Sequence, residues 1–209
     1  MLTEIWSFLV KGGILMIPLL ICSVLSLAII IEKLLTLRKH KVIVPEVKSV
    51  IENIESEEDI PLALSVCKKH KSVLSNLIIL VLKHKGTSYS LMREELSDSG
   101  RQEIRSLERG LGILETIAAV APVLGLLGTV VGMIKVFSVI SVQGVGEASA
   151  LSGGISEALI TTAVGLSVGI PALIFYNYFA SKAEELILDI ENISNQLLKK
   201  IIVFRTGEK

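Results

Sequence analysis

The sequence has little charge and few aromatic side chains. Of its 209 residues, 20% are charged and 4% are aromatic, whereas 51% are hydrophobic. A soluble domain of this length usually carries more charge and less Val, Ile and Leu. The 21 basic residues are balanced by 21 acidic ones. This balance gives no support for nucleic-acid binding, because that needs a concentrated positive surface.

Motifs for several kinds of chemistry are also missing. No GxxxxGK[ST] loop occurs, so nothing supports the binding of a nucleotide. The three histidines, His40, His70 and His84, lie among lysines at no metal-ligand spacing. Cys22 lies in an apolar stretch and Cys67 in a polar one, so we expect no disulfide between them. No nucleophile–base pair is visible, and we therefore expect no cofactor and no enzyme activity.

Three long stretches contain no charged residue. Residues 12–31, 116–134 and 158–181 run for 20, 19 and 24 positions, and about 20 apolar residues let a helix cross a bilayer. Buried helices of a soluble protein are the alternative, but so short a chain cannot surround three of them. The first stretch follows no basic segment and is longer than the core of a signal peptide, so we expect a retained anchor.

The distribution of positive charge predicts how the spans are oriented. Residues 38–109, between the first two spans, hold 13 of the 21 Lys and Arg residues, whereas residues 139–153, between the second and third, hold none. The tail after Ser181 is again basic. The positive-inside rule then places the long segment and the tail in the cytoplasm, and the N-terminus on the other side.

These observations predict an all-α integral membrane protein with three transmembrane helices and long helices that extend into a cytoplasmic helical domain. The predicted organisation is an N-terminal periplasmic or interfacial segment at 1–11, spans at 12–35, 111–138 and 154–181, a cytoplasmic helical domain at 36–110, a short periplasmic loop at 139–153 and a cytoplasmic C-terminal helix at 182–209.

Apolar periodicity predicts helices in the polar segments as well. Residues 73–82 are apolar but too short to span, which predicts a buried helix, and Pro61 is placed to begin the helix before it. Residues 88–109 are charged and run without proline into the second span, so we expect one long uninterrupted helix there. The periodic positions are Val47, Val50, Ile51 and Ile54 in the long segment, and Leu186, Ile190, Ile193, Leu197 and Ile201 in the tail.

The second span combines small residues with a hydroxyl. Gly125, Gly128 and Gly132 occur at i, i+3 and i+7 and therefore share one helix face. The last two form GxxxG, a spacing that lets membrane helices approach closely. Thr129 lies beside this face, and Pro122 leaves one backbone carbonyl without its helical donor. We therefore expect the glycines and Pro122 to serve in helix packing, and Thr129 to add a hydroxyl beside the packing face.

The third span repeats the combination and adds a carboxylate. A charged side chain within a span costs several kcal/mol unless it is paired, neutralised or hydrated, so Glu157 is a functional candidate. Thr161 and Thr162 add polarity close to it. The expected packing positions of this span are Ala158, Thr162, Gly165, Gly169 and Pro171.

Each of these signals has a simpler interpretation. Small residues at GxxxG spacing often mean only tight packing, and a threonine within a span often bonds a carbonyl of its own helix. The simpler interpretation of Glu157 is that it reaches the interface or interacts with the N-terminus of the third helix. Lys135 is expected at the interface. From these residues alone, a polar-lined helix bundle and an ion path both remain open.

Two long ungapped motifs resemble the ExbB/TolQ/MotA proton-channel family. They are APVLGLLGTVVG at 121–132 and GISEALITTAVGLSVGIPALIFYN at 154–177. The exit of the first span, IIIEKL at 29–34, and the approach to the second, LERGL at 107–111, are also similar to ExbB proteins. The resemblance covers most of the chain and is weakest over 42–90. Three spans resemble ExbB and TolQ more than MotA proteins, which have four.

The resemblance implies a specific assembly. ExbB-like proteins form homopentamers in the lipid bilayer, and a dimer of a single-span ExbD-like or TolR-like partner occupies the central pore with its own protonatable aspartate. The second and third spans line that pore, where the family's threonines match Thr129 and Thr162 and its third-span glutamate matches Glu157. None of the three uncharged stretches contains Asp, as expected if the titrating aspartate belongs to the partner.

The implied function is that of a subunit in a motor of the bacterial inner membrane driven by the proton motive force. With an ExbD-like partner, it would energise a TonB-like protein for outer-membrane nutrient uptake. A TolQ-like role in envelope maintenance is one alternative, and a membrane scaffold that conducts nothing is another. A flagellar-type stator is less favoured, because a fourth span is missing.

Overall fold

The computed structural model describes residues 12–83, 89–143 and 148–206, which are almost entirely helical. The predicted N-terminal segment, residues 1–11, lies outside these ranges. A 3₁₀ turn, Glu57–Asp59, separates the third and fourth of the described helices. The α-helices are α1 (Met16–Thr36), α2 (Lys39–Val42), α3 (Pro45–Glu52), α4 (Ile60–Lys69), α5 (Val73–Lys83), α6 (Tyr89–Glu108), α7 (Leu111–Gln143) and α8 (Ala148–Thr206).

Three of these helices, α1, α7 and α8, are long and apolar enough to cross a membrane. They also leave large apolar side chains uncovered: Val123, Ile134 and Leu159 are each more than 60% exposed. Such surfaces are unfavourable in water and suit a hydrocarbon solvent. The predicted fold class, an all-α membrane protein with three spanning helices, is confirmed.

The prediction of one uninterrupted helix leading into the second span was wrong. Helix α6 ends at Glu108 and α7 begins at Leu111. Between them Gly110 has a φ of +86°, in the left-handed region that glycine adopts without a steric penalty and that ends helices. The absence of proline therefore did not ensure continuity, because a single glycine was sufficient to end the helix.

The helices of the second and third spans extend into residues 139–153, which were predicted to form a loop. Helix α7 continues to Gln143, and α8 begins at Ala148. The structure does not describe residues 144–147. Helix α8 then runs for 59 residues, so the third apolar stretch and the striped tail form one helix.

The chain divides into two compact units. The first, here called the apolar unit, contains residues 12–32 and 110–178; the second, the charged unit, contains residues 33–109 and 179–206. In the charged unit α3, α4, α5 and α6 pack in sequence, each on the next. Helix α5 buries Leu74, Leu77, Ile78, Val81 and Leu82, which confirms a buried helix over the short apolar run.

The predicted apolar stripes form much of the core of the charged unit. Val47 and Ile51 on α3, with Ile54 just after it, are at most 2% exposed, and Pro61 lies in the first turn of α4 as predicted. The five predicted apolar positions of the tail are all buried. These helices are therefore stabilised by burying one face, which is the usual source of helix stability in proteins.

Two sets of hydrogen bonds satisfy backbone groups at helix ends in this unit. The Lys200 ammonium donates hydrogen bonds to the carbonyls of Ile51, Glu52 and Ile54 at 3.2, 2.6 and 3.1 Å, where α3 leaves carbonyls without helical donors. At the 3₁₀ turn, the backbone N–H groups of Glu55 and Ser56 donate to Asp59. These bonds, together with the Ser56 hydroxyl, lower the pKa of Asp59.

Candidate functional site

The second and third spans, α7 and α8, approach each other at glycine. An added Cβ on Gly125 would lie 3.0 Å from the Thr161 carbonyl oxygen and 3.3 Å from the Gly165 Cα. A Cβ on Gly165 would lie 2.6 Å from the Ala121 carbonyl oxygen. Backbone therefore packs directly on backbone here, and any side chain at either glycine would separate the helices.

Thr161 occupies the centre of this contact. It is 1% exposed, and its side chain fills the space beside Gly128, where an added Cβ would overlap its Oγ1 and Cβ atoms. The Thr161 hydroxyl donates to the carbonyls of Glu157 and Ala158 in its own helix, both at 3.0 Å. The threonine is thus held as a knob in a hole that only glycine leaves open.

The remaining predicted packing positions differ in what they contact. A Cβ on Gly132 would lie 2.8 Å from the Gly154 carbonyl oxygen, and one on Gly169 would lie 2.5 Å from the Pro122 ring. Pro122 therefore packs against the third span in addition to interrupting the bonding of α7. Pro171 lies within α8 and is exposed.

The structure brings Thr129 and Thr162 to a shared carbonyl group. The Thr162 hydroxyl donates across the helix pair to the Gly125 carbonyl oxygen at 3.0 Å. In an α-helix, the same carbonyl is the acceptor for the backbone N–H of the residue four positions on, here Thr129. The Thr129 hydroxyl itself donates to the Leu126 carbonyl at 2.6 Å. Both threonines are half-buried.

This arrangement determines what the two hydroxyls can do next. Each hydroxyl has one proton to donate and two lone pairs that accept. In both threonines the proton is directed to a carbonyl, so the oxygen is ready to accept a hydrogen bond. Water or a protonated carboxylic acid can supply that donor, whereas an ionised carboxylate has none. A bond to the ionised form requires the hydroxyl to rotate away from its carbonyl.

Glu157 is paired with a cation from the second span. Its Oε1 lies 2.5 Å from the Lys135 ammonium, with side-chain exposures of 17% for the glutamate and 52% for the lysine. Gly13 lies against the same carboxylate, because a Cβ there would overlap Oε1, and this glycine has a φ of +71°. Pairing of this kind is how charged side chains within spans are usually accommodated.

Glu157 is separate from the threonine pair. It precedes Thr162 by five positions, about 7.5 Å along the axis and roughly 140° around it. The interpretation that it interacts with the helix N-terminus was wrong, because α8 begins nine residues earlier at Ala148 and terminal effects fade within the first turn.

Sequence reasoning treated Lys135 only as an interfacial residue and did not single out Gly13. Opposite charges near the same end of two adjacent spans were the signal for Lys135, and the Gly12-Gly13 pair before the first apolar run was a turn signal. Neither signal identifies a contact, because pairing depends on how the helices rotate about their axes.

Other potentially reactive groups form no additional centre. Within the described ranges, no three His, Cys, Asp or Glu side chains converge to hold a metal ion. Both described cysteines are free thiols. Burial of Cys67 in the charged unit raises the pKa of its thiol to about 11, so the reactive thiolate is scarce near neutral pH.

Comparisons with known proteins give one family match and several similar proteins. The model of the "MotA/TolQ/ExbB proton channel family" matches residues 66–192. The chain is similar to two proteins of Synechocystis sp., putative biopolymer transport proteins ExbB-like 1 and ExbB-like 3. Identities are 33% over 179 residues, covering 82% of this chain and 68% of the relative, and 34% over 178 residues, covering 81% and 82%. The biopolymer transport protein ExbB of Aquifex aeolicus is 39% identical over 92 residues, 44% of this chain and 62% of that protein.

Proposed function

Because this chain belongs to the MotA/TolQ/ExbB proton channel family, we propose that it is the ExbB-like subunit of an inner-membrane motor driven by the proton motive force. In this proposal an ExbD-like single-span partner completes the motor, which energises a TonB-like protein for nutrient uptake across the outer membrane. The subunit acts as a channel wall and catalyses no chemical reaction. It lies in the bacterial inner membrane with its N-terminus in the periplasm and its C-terminus in the cytoplasm.

The hydrogen bond from the Thr162 hydroxyl to the Gly125 carbonyl, one helical turn before Thr129, is the observation that carries this proposal. Two half-buried hydroxyls lie on adjacent spans, whose backbones approach closely at Gly125 and Gly165. Their free lone pairs offer acceptors to water or to a protonated acid. This provides a wall that can bind the neutral form of a carboxylic acid without carrying a charge itself.

The titrating group in this mechanism belongs to the partner. A proton crossing 100 mV releases about 2.3 kcal/mol, which is available if the partner carboxyl takes up the proton on one side and releases it on the other. Protonation removes a charge and supplies an O–H donor to the threonine oxygens. Deprotonation reverses this and requires a hydroxyl to rotate. Five subunits around a partner dimer would offer five such threonine pairs in turn to the partner carboxyl. Alternating protonation and deprotonation could then drive rotation or shift of the dimer.

Glu157 is proposed as a fixed charge at the outer end of this path. Its carboxylate is occupied by Lys135 and covered beside Gly13. An ion pair at this position attracts and orders water near the path without joining the transfer itself. The pair also connects α7 to α8 beyond the glycine contact.

Double substitution tests this role of Glu157. Glu157→Gln and Lys135→Met should each lower stability in detergent, because each leaves one charged side chain of the pair without its partner. The double variant should be no less stable than the less stable of the two single variants, since both changes remove the same interaction. If Glu157 itself carried protons, Glu157→Gln would stop proton flux while Lys135→Met would leave it intact.

Reconstitution tests the function as a whole. The chain should be purified together with the single-span protein encoded beside it, imaged as a complex and placed in liposomes under an imposed potential. We expect proton uptake with both proteins present and none with either alone, because the titrating carboxyl and the channel wall are on different chains. An assembled complex that conducts nothing would favour the scaffold. Retention of a TolA-like protein in place of a TonB-like one would favour the TolQ-like role.

A further inference from the structure

The chain passes between the two compact units at three places, and one of these connections differs from the other two. The crossings lie at residues 32–33, 109–110 and 178–179. Helices α1 and α8 run through the first and the third without interruption. At the second crossing, α6 ends at Glu108 and α7 begins at Leu111. This interruption is here called the α6–α7 break.

Gly110 serves both helices at the break. Its φ of +86° ends α6, and its carbonyl oxygen accepts a hydrogen bond from the Leu114 backbone N–H at 3.1 Å, which begins the bonding of α7. A Cβ added to Gly110 would lie 3.7 Å from the Ile29 Cγ2 atom, an ordinary contact distance. The backbone conformation therefore requires glycine here, whereas the available space does not.

Lys33 places a buried positive charge at the end of α6. The residue is 2% exposed, and its ammonium donates a hydrogen bond of 2.7 Å to the Leu107 carbonyl oxygen. Leu107 lies in the last turn of α6, where carbonyls have no helical donor. A positive charge near a helix C-terminus also interacts favourably with the helix dipole. The Lys33 ammonium therefore caps α6.

Helix α1 contacts both sides of the break. Lys33 and Ile29 lie one turn apart on α1, so one turn of this helix packs on Gly110 while the next caps α6 at Leu107. Each contact lies within one compact unit, the first in the apolar unit and the second in the charged unit. The segments that meet are the exit of the first span and the approach to the second, which have no place in the proton path.

A lysine is a costly residue at a buried position unless its charge is used. Taking an ammonium out of water is unfavourable, and an apolar side chain of similar volume often leaves a protein equally stable or more so. Methionine could fill much of the space that Lys33 fills. The lysine differs from it in offering a charged donor to the Leu107 carbonyl.

We propose that Lys33 is a positioning residue that holds the α6–α7 break in one conformation. Its ammonium fixes the end of α6 while the preceding turn of α1 packs on Gly110, so α1 braces both sides of the break. Helix α7, which carries Thr129, then begins from a fixed point. This brace goes beyond the proposed function, and only its effect on proton flux rests on that function.

Hydrogen exchange of the full-length protein in detergent tests the brace directly. Lys33→Met keeps most of the side-chain stem but has no donor. Backbone amides over residues 104–112 should exchange about tenfold faster or more, because a buried carbonyl has lost a charged donor, and the melting temperature should fall. Exchange in the rest of α6 and α7 should change much less. Lys33→Arg keeps a charged donor and should recover most of the protection.

Two comparisons separate the buried charge from other effects. Arg38→Met removes a cation close to the same end of α1, where the Arg38 Nε donates at 3.2 Å to the Leu34 carbonyl at an exposed position; exchange over residues 104–112 should stay as in the native protein. At the break itself, Gly110→Ala should lower the melting temperature more than Gly110→Asn does, because asparagine adopts the left-handed conformation at a lower cost than alanine.

Proton flux tests whether the brace positions the channel wall. Complexes of Lys33→Met with the single-span partner should assemble but conduct about fivefold or more slowly, because the start of α7 is no longer fixed, and Lys33→Arg should restore the flux. Full flux in Lys33→Met despite faster exchange would overturn the positioning role. A native complex that conducts nothing would overturn the proposed function, whereas exchange would still decide the brace.

Two further results would overturn the brace itself. One is a Lys33→Met protein that is as stable as the native protein or more so, with unchanged exchange over residues 104–112, because the buried charge would then be a cost without a role. The other is a Gly110→Ala protein that melts at the native temperature, because the left-handed conformation would then not be held in place.

Discussion

Replacing Gly128 with alanine is expected to disrupt the packing of the second and third spans. The added Cβ would overlap the Oγ1 and Cβ atoms of Thr161, and that side chain cannot move aside easily because it is buried and bonded to two carbonyls of its own helix. Overpacking typically costs about 1–3 kcal/mol. Here the helices themselves must separate, so the loss should reach the upper end of that range.

The measurement is the yield of folded complex and its melting temperature in detergent. Gly112→Ala is the matched control in the same helix, because a Cβ there would meet nothing within 4 Å; it should be as stable as the native protein or more so. Gly128→Ala combined with Thr161→Gly removes the clashing side chain and should recover much of the yield. A stable Gly128→Ala protein, or a double variant no better than the single one, would contradict the knob-and-hole contact.

Replacing Thr162 with valine should reduce proton flux while leaving the assembly intact. Valine keeps the volume but loses the hydroxyl that donates across the helix pair to the Gly125 carbonyl. A hydrogen bond across membrane helices is worth about 0.6 kcal/mol on average, so the helix pair should hold. A hydrogen bond lost from the transfer step costs about 1–2 kcal/mol, which corresponds to roughly five- to thirtyfold in rate.

Two controls separate the hydroxyl from packing. Thr162→Ser restores the hydroxyl and should recover most of the flux. Thr116→Val makes the same change on α7, at a threonine whose hydroxyl donates at 2.8 Å to the Gly112 carbonyl of its own helix, and should leave flux unchanged. Flux is measured in liposomes that contain the single-span partner. Full flux in Thr162→Val would show that this hydroxyl has no part in proton transfer.

The spans could be predicted from the sequence because a bilayer imposes a simple requirement. A helix that crosses hydrocarbon needs length and the near absence of charge, and both are read directly from residues 116–134 and 158–181. The stripes of α3 and the tail were predictable for a related reason, since one buried helix face repeats with the helical period. Family membership was predictable from two ungapped motifs, and the family comparison confirms it.

Partners of polar side chains could not be predicted in the same way. Glu157 was visible as a costly charge, but its partner Lys135 is 22 positions away, and their contact depends on the rotation of two helices. Thr161 and Thr162 are adjacent in sequence, yet the Thr161 hydroxyl bonds within its own helix while its side chain packs beside Gly128, and the Thr162 hydroxyl bonds across to α7. Successive residues on a helix point about 100° apart, so only packing decides which of them meets a neighbour.

The chain by itself determined that this is a three-span membrane protein with two glycine-rich faces and hydroxyls beside them, because composition and periodicity are local properties. Tertiary structure alone decided that the Thr162 hydroxyl bonds the Gly125 carbonyl of the neighbouring span, and that Glu157 is paired with Lys135. Each of these contacts joins residues far apart in the chain. They follow from the close approach of the helices at Gly125 and Gly165, which no single stretch of sequence contains.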